Sequence, residues 1–220
     1  MKMMKLSVII PTLNEAENIG ELIPLLQIKG GEFISEIIVV DGGSQDNTCQ
    51  IAEALGAKVL KSKEKSRAMQ LNLGASHATS DTLFFVHADT RPVNSFAEDL
   101  QIASIKGYKA GCFRYRFDSE TFLLRVNSWF TRFNGLFSGG GDQTLFISRD
   151  FFNTLGGYDS KFCLMEDFEL VKRIKRRTKF YIIPKSITVS ARKYQDNSWL
   201  RVQLANLFVF TLFHFGVAPE

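Results

Sequence analysis

Acidic and amide side chains recur in this 220-residue chain wherever a short apolar run ends: SVIIPTLNE carries Asn14 and Glu15, IIVVDGGS carries Asp41 and Ser44, and TLFFVHAD carries His87 and Asp89. A carboxylate at position 41 could accept hydrogen bonds from a nucleobase or a ribose, and Gly42 and Gly43 let a flat ring approach the backbone. Asp89 suits a hard cation, because magnesium uses one or two carboxylates and completes its shell with substrate phosphates and water. Lys65 and Arg67 could supply countercharge to a nucleotide, arginine through a two-pronged fork. Each residue has a plainer reading. Asn14 is a ready helix cap, Asp41-Gly42-Gly43 a tight turn, and His87 a satisfied, partly buried imidazole. Their convergence on one edge favours the chemical reading.

That edge depends on the elements behind it. Residues 6–10 read as a buried strand ended by Pro11, and Asn14 with Glu17 forms a capping-box pattern that starts a helix running to about Gln27. Residues 36–40, 57–60 and 82–86 read as further strands, with helices over 47–55 (closed by Gly56) and 66–78 between them. Such alternation predicts a parallel sheet, whose ligands bind outside the carboxyl ends of the strands. Beyond it, residues 109–117 alternate as a strand, and 121–133 look helical with a stripe of Phe122, Trp129, Phe130 and Phe133 expected to pack in the core, with a sugar- or lipid-stacking surface as the alternative. Gly139-Gly140-Gly141 breaks the chain before a strand over 144–148. A helix over 166–176, a last short strand over 180–183 and an amphipathic-to-apolar helix over 198–215 follow. With no linker or repeat, the expectation is one α/β domain over 1–220. Its nucleotide-binding part is about 1–90, its acceptor and catalytic part about 91–190, and its C-terminal helix about 198–216.

Composition limits the alternatives. The formal charge of +4 permits attraction to diphosphates or an anionic membrane surface but is no nucleic-acid signature, so no nucleic acid is expected as partner. The run Lys172, Arg173, Lys175, Arg176, Arg177 and Lys179 reads as a solvated helix face, with a phosphate or headgroup surface as the alternative. Cys49, Cys112 and Cys163 have no metal-finger spacing, which favours a reducing, cytoplasmic compartment. The apolar run at the N-terminus is too short for a secretory signal. The C-terminal run 204–215 is either a helix docked on the core or a membrane-interface element.

SVIIPTLNE, IIVVDGGSQDNT, SRAMQLNLGA and FFVHADT, followed by GGGDQTLFISRDFFNTLGGYD and MEDFELVKRIKRR, resemble family 2 glycosyltransferases of the GT-A fold. The short bacterial subgroup associated with radical-SAM and selenium-domain genes is the most similar. The resemblance implies a single domain with a mostly parallel central sheet flanked by helices. It matches Pro11, Thr12, Asn14 and Glu15 to the loop lining the nucleotide site, and Asp41, with Gly42 and Ser44, to the base-binding aspartate. Arg67 and Asn72 match the helix over base and sugar. His87-Ala88-Asp89 matches the DxD metal motif, Asp89 being its last carboxylate. His87 stands where the family commonly has a first aspartate, which leaves the identity of the cation, Mn or Mg, open. Asp142 matches a polar position near donor sugar and acceptor, and Asp167, with Glu166 beside it, the usual general base. The QxxRW motif of processive synthases is absent, and Arg192-Lys193-Tyr194 lies in its place, as in an enzyme of single addition.

The implied activity is inverting transfer of a sugar from a UDP- or GDP-linked donor to a hydroxyl acceptor. A lipid-linked acceptor, with peripheral attachment at the inner membrane face through the C-terminal helix, would suit the apolar C-terminal run. PTLNE after the first strand is neither the glycine-rich basic signature of nucleotidyltransferases nor the GxGxxG of dehydrogenases. The remaining rival is a binding or scaffold protein of the same fold whose chemistry has lapsed.

Overall fold

The computed structural model describes residues 3–64, 66–135, 139–140, 143–194 and 197–215. The apolar runs of the N-terminal half form four parallel strands, β1 (Leu6–Thr12), β2 (Ile34–Asp41), β3 (Lys58–Lys61) and β4 (Thr82–Phe85). Helices α1 (Ala16–Gly30), α2 (Thr48–Ala54) and α3 (Arg67–His77) connect them. There follow β5 (Thr90–Arg91), α4 (Phe96–Ile105), β6 (Ala110–Phe117), α5 (Phe122–Phe130), β7 (Leu145–Ser148) and α6 (Arg149–Leu155). The order ends with α7 (Glu166–Arg177), β8 (Phe180–Val189) and α8 (Trp199–His214). The described strands make one sheet in the order β3-β2-β1-β4-β7-β6-β8-β5. β7 runs antiparallel to β4 and β6, and β5 antiparallel to β8, while β6 and β8 are parallel.

The chain moves outward from β1 to β2 and β3, then α3 returns it to the other side of β1 to form β4. Right-handed crossovers therefore place α1 and α2 on one face and α3 on the other. The burial follows: Leu6, Val8 and Ile10 pack with Ile19, Leu22, Leu26 and Ala52, whereas Ile9, Ile38 and Val40 pack with Ala68, Leu71 and Ala75. Leu170, Val171 and Ile174 bring α7 to that second face. Reversal of the winding opens a crevice at the carboxyl ends of β1 and β4, where open α/β sheets bind ligands.

Several expected boundaries move. β1 continues through Pro11 to Thr12, and α1 passes Gln27 to reach Gly30. β8 runs on to Val189 instead of stopping at Ile183, because its pairing with β6 jumps from Phe113↔Ile183 to Arg114↔Ser186. Pro184 and Lys185 are absorbed in that irregularity, which tolerates a residue with no N–H. α4, α6 and β5 were not expected. The aromatic stripe on α5 is a clear correction: only Leu124 of that helix is buried, and Phe122 and Phe130 are 73% and 59% exposed. The basic run is also not a uniform solvated face. Arg173 hydrogen-bonds the Leu155 and Gly157 carbonyls at 2.6 and 2.7 Å, and Lys175 donates to the Gly135 carbonyl at 2.8 Å.

α3 lies close on the sheet because Gly74 has no side chain. A Cβ there would meet Ile9 Cγ2 at 2.5 Å and Val40 Cγ2 at 3.1 Å, and both neighbours are fully buried and β-branched. Gly74→Ala gains about 1 kcal/mol of helix propensity against an overpacking cost of about 1–3 kcal/mol. Net destabilisation is expected in urea melts, and a more stable variant would contradict this packing.

Candidate active site

The rim is built where β1, β2 and β4 end. Thr12 and Asp41 are register partners, and the Val86 amide donates to the Ile9 carbonyl at 3.0 Å, so β4 stays alongside β1 up to His87. Pro11 from β1, His87 after β4, and Tyr158 and Asp167 from the α6–α7 region line one cavity of about 10 Å³, with Phe85 and Leu145 as its apolar wall. The notch is water-sized. Asp41 and Asp89 do not line it. The structure thus brings Pro11, His87 and Asp167 together, with Asp41 held on the neighbouring strand end and Asp89 just beyond His87.

Asp41 is 2% exposed and turns its carboxylate onto its own loop. Oδ2 accepts from the amides of Gly43 and Ser44, both at 2.9 Å, and Oδ1 accepts from the Ser44 hydroxyl. Burial alone would raise the pKa. The bonds from Ser44, Gly43 and Cys49 outweigh it and hold the group below its ordinary 3.8. Gly42 makes room for Gln70 here, since a Cβ would sit 3.1 Å from Gln70 Nε2. That buried amide donates to the Thr12 carbonyl at 2.9 Å and the Val40 carbonyl at 2.7 Å, joining the ends of β1 and β2. Gln70 carried no signal in the sequence beyond being polar among apolar helix positions.

Asn14 does not cap α1. It adopts φ 55°, accepts from the Gln45 amide at 2.8 Å and donates its own amide to the Ser44 hydroxyl at 2.8 Å. The helix start is capped from the other loop instead: Glu15 N donates to Thr48 Oγ1 at 2.9 Å and Ala16 N to Asp46 Oδ2 at 3.2 Å. The two loops are interlocked, which a local capping rule cannot see. The Glu15 carboxylate accepts from Asn18 at 2.6 Å and from Arg192, in a 3₁₀ turn of Arg192–Tyr194, at 3.0 Å.

The His87-Ala88-Asp89 turn is closed by the Thr90 amide on the His87 carbonyl at 3.1 Å. Arg91, another residue without a motif, fixes it. Its guanidinium donates to the Ala88 carbonyl at 3.1 Å and to Asn18 and Glu21 of α1 at 3.1 and 2.6 Å. Ala88 is buried. Among the described residues no three acidic, histidine or cysteine side chains form a metal cluster. Asp89 offers a single carboxylate, which fits a magnesium- or manganese-type ion that takes the rest of its shell from a diphosphate and water.

At the start of α7 Glu166 is 3% exposed and lies 3.4 Å from Arg67 Nη1, which ties it to the start of α3. Met165, the residue before α7, is held at φ 66°, a conformation that is uncommon for a side chain of its size and collects at functional sites. Asn72 is occupied at both ends of its amide, donating to the Tyr158 carbonyl at 2.8 Å and accepting from the Tyr158 amide at 2.9 Å. It fastens α3 to that segment rather than presenting its polar atoms to the notch. Tyr158 is buried among Phe85 and Phe152. Burial first, then the charges of Asp167 and Glu166, push its phenol well up. Asp142, Lys65 and Gly141 lie outside the described residues.

The family described as "Glycosyl transferase family 2" matches residues 7–164. The chain belongs to glycosyl transferase family 2. The match covers the loops of β1, β2 and β4 and ends ahead of Glu166 and Asp167 in this family 2 chain. It is similar to "4,4'-diaponeurosporenoate glycosyltransferase" of Staphylococcus haemolyticus, 28% identical over 78% of this chain and 52% of that protein. It is also similar to "Dolichol-phosphate mannosyltransferase" of Pyrococcus furiosus, 36% identical over 39% of this chain and 26% of that protein. The family 2 chain therefore spans from about a quarter to about half of these relatives. Among solved structures, glucosyl-3-phosphoglycerate synthase of Mycobacterium tuberculosis, bound to Mn2+, UDP and glucosyl-3-phosphoglycerate, superposes with a TM-score of 0.68. At 17% identity, over 99% of this chain and 81% of the other, that likeness establishes the GT-A fold.

Because the folded Asp41 titrates below its ordinary 3.8, its contribution to stability is complete above that value and is lost as the pH falls through the lower folded pKa. Ser44→Ala removes a donor to a buried charge and should cost about 1–2 kcal/mol at neutral pH. Its melting temperature should also begin to fall at a less acidic pH than that of the parent. Parallel pH profiles would show that Ser44 does not hold the carboxylate.

Proposed function

We propose that this chain transfers a sugar from a nucleoside-diphosphate donor to a hydroxyl acceptor, with inversion at the anomeric carbon. The observation that carries the reading is the meeting of His87, from the end of β4, with Asp167, from the start of α7, at one notch on the winding-reversal edge.

Asp41, held ionised, would accept from the donor's base or ribose, with Pro11, Thr12, Asn14, Glu15, Gly42 and Ser44 shaping the surrounding loops. Arg67, half exposed and oriented by Glu166, would supply countercharge to the leaving group. Asp167 would take the proton of the acceptor hydroxyl as its oxygen attacks the anomeric carbon, and the start of α7 favours the ionised form. One base, with no second carboxylate among the described residues that line the notch, corresponds to direct displacement. Asp89 would hold a divalent cation, whose contribution when bound is to neutralise charge on the departing diphosphate. The Mn2+ and UDP in the mycobacterial structure support that assignment. A lipid-linked acceptor is one candidate class, and a relative named for dolichol phosphate supports a lipid acceptor without bearing on the hydroxyl.

His87 in place of a carboxylate is what favours a second reading, a nucleotide-sugar-binding protein without turnover. Donor hydrolysis with Mn or Mg separates the two, since release of nucleoside diphosphate requires catalysis. Asp167→Asn should reduce turnover by about a hundredfold or more while a UDP- or GDP-sugar still raises its melting temperature as in the parent. An Asp167→Asn protein that turns over at the parent rate would remove Asp167 from the mechanism.

A further inference from the structure

The outward face of α8 is uncovered among the described residues. At about 3.6 residues per turn, Leu200, Leu204, Leu207, Phe208 and Phe215 fall on one stripe, and they are 60, 57, 58, 65 and 82% exposed. The opposite stripe is apolar too, and it is the one that packs. Trp199 joins the core, the Phe210 ring meets Phe168 at 5.7 Å, and Phe213 meets Phe162 at 5.8 Å. A helix apolar on both faces belongs in apolar surroundings. Yet no described helix is long and apolar enough to cross a membrane.

Charge decides between the occupants that such a face could take. Residues 199–215 contain no Asp or Glu, and their single Arg or Lys, Arg201, is exposed beside the stripe. Lys172 of α7 is exposed and stands 5.4 Å from the Phe213 ring. Exposed Arg192 and Lys193 precede the helix, and exposed Arg176 and Arg177 follow Lys172 along α7. The acid between Lys172 and the start of α7, Glu169, is engaged by Arg173 at 2.7 Å. A second copy packed on this stripe would set the same positive rim against itself. An anionic lipid surface offers an apolar interior and the complementary charge at once.

We propose that α8 is an interfacial helix that lies in the surface of an anionic bilayer, with Leu204, Leu207 and Phe208 inserted and Arg201 and Lys172 on the headgroups. Because Phe168, the residue after Asp167, packs on Phe210, docking sets the start of α7 beside the bilayer. The bearing on acceptor choice rests on Asp167 being the base, whereas the binding itself does not.

The test is flotation of the full chain with vesicles of phosphatidylglycerol and, separately, of phosphatidylcholine. Binding to phosphatidylglycerol should exceed that to phosphatidylcholine by about tenfold or more and weaken at high salt. The pair Leu204→Glu and Phe208→Glu should abolish flotation with an unchanged circular dichroism spectrum. If that pair misfolds, Lys172→Gln with Arg201→Gln keeps the stripe and should still weaken binding several-fold. Failure to float with phosphatidylglycerol, or equal binding to both lipids, overturns the proposal. So does a concentration-dependent dimer, seen by light scattering without flotation and lost in the Leu204→Glu, Phe208→Glu pair, which assigns the stripe to a second copy.

Discussion

β1 is buried on both faces and hydrogen-bonded to β2 on one side and β4 on the other. It is the strand about which the winding reverses, so helices leave it on opposite faces and its carboxyl end lies open between them. The polar groups that follow β1, β2 and β4 are referred to that end. Thr12 faces Asp41, His87 follows the strand paired with Ile9, and Gly74 lets α3 lie close on the second face.

The side chains that fix the rim are mostly not those expected to meet a substrate. Gln70 joins β1 to β2, Arg91 ties the His87-Ala88-Asp89 turn to α1, and Asn72 and Arg173 hold the segment before α7. These are buried or half-buried polar groups with their hydrogen bonds satisfied, which gives a unique arrangement. Glu166 is also a positioning group, buried and ion-paired to Arg67 at 3.4 Å although its Oε1 makes no hydrogen bond among the described residues, and Asp167 beside it lines the notch. The division between positioning and reacting groups thus runs through a single dipeptide.

The N-terminal parallel strands and the edge at which they end were legible, because apolar runs alternating with helical periodicity have few other solutions. The anchoring of that edge was not. Gln70, Arg91 and Asp46 act across many residues of sequence, and a capping rule assigned to Asn14 what Asp46 and Thr48 perform from the next loop. The last strand was expected over 180–183, whereas an irregularity in the pairing carries β8 past Pro184 to Val189. The stripe on α5 showed that aromatic periodicity marks an apolar face without saying whether the protein itself covers it.

A crystal structure with UDP and Mn tests the gathering of these groups most directly. The account predicts the nucleoside beside Asp41, the diphosphate and cation on the Asp89 side of the His87 turn, and Asp167 facing the open space beyond the terminal phosphate. A nucleotide bound away from the ends of β1, β2 and β4, or seated there with Asp167 directed elsewhere, would contradict it.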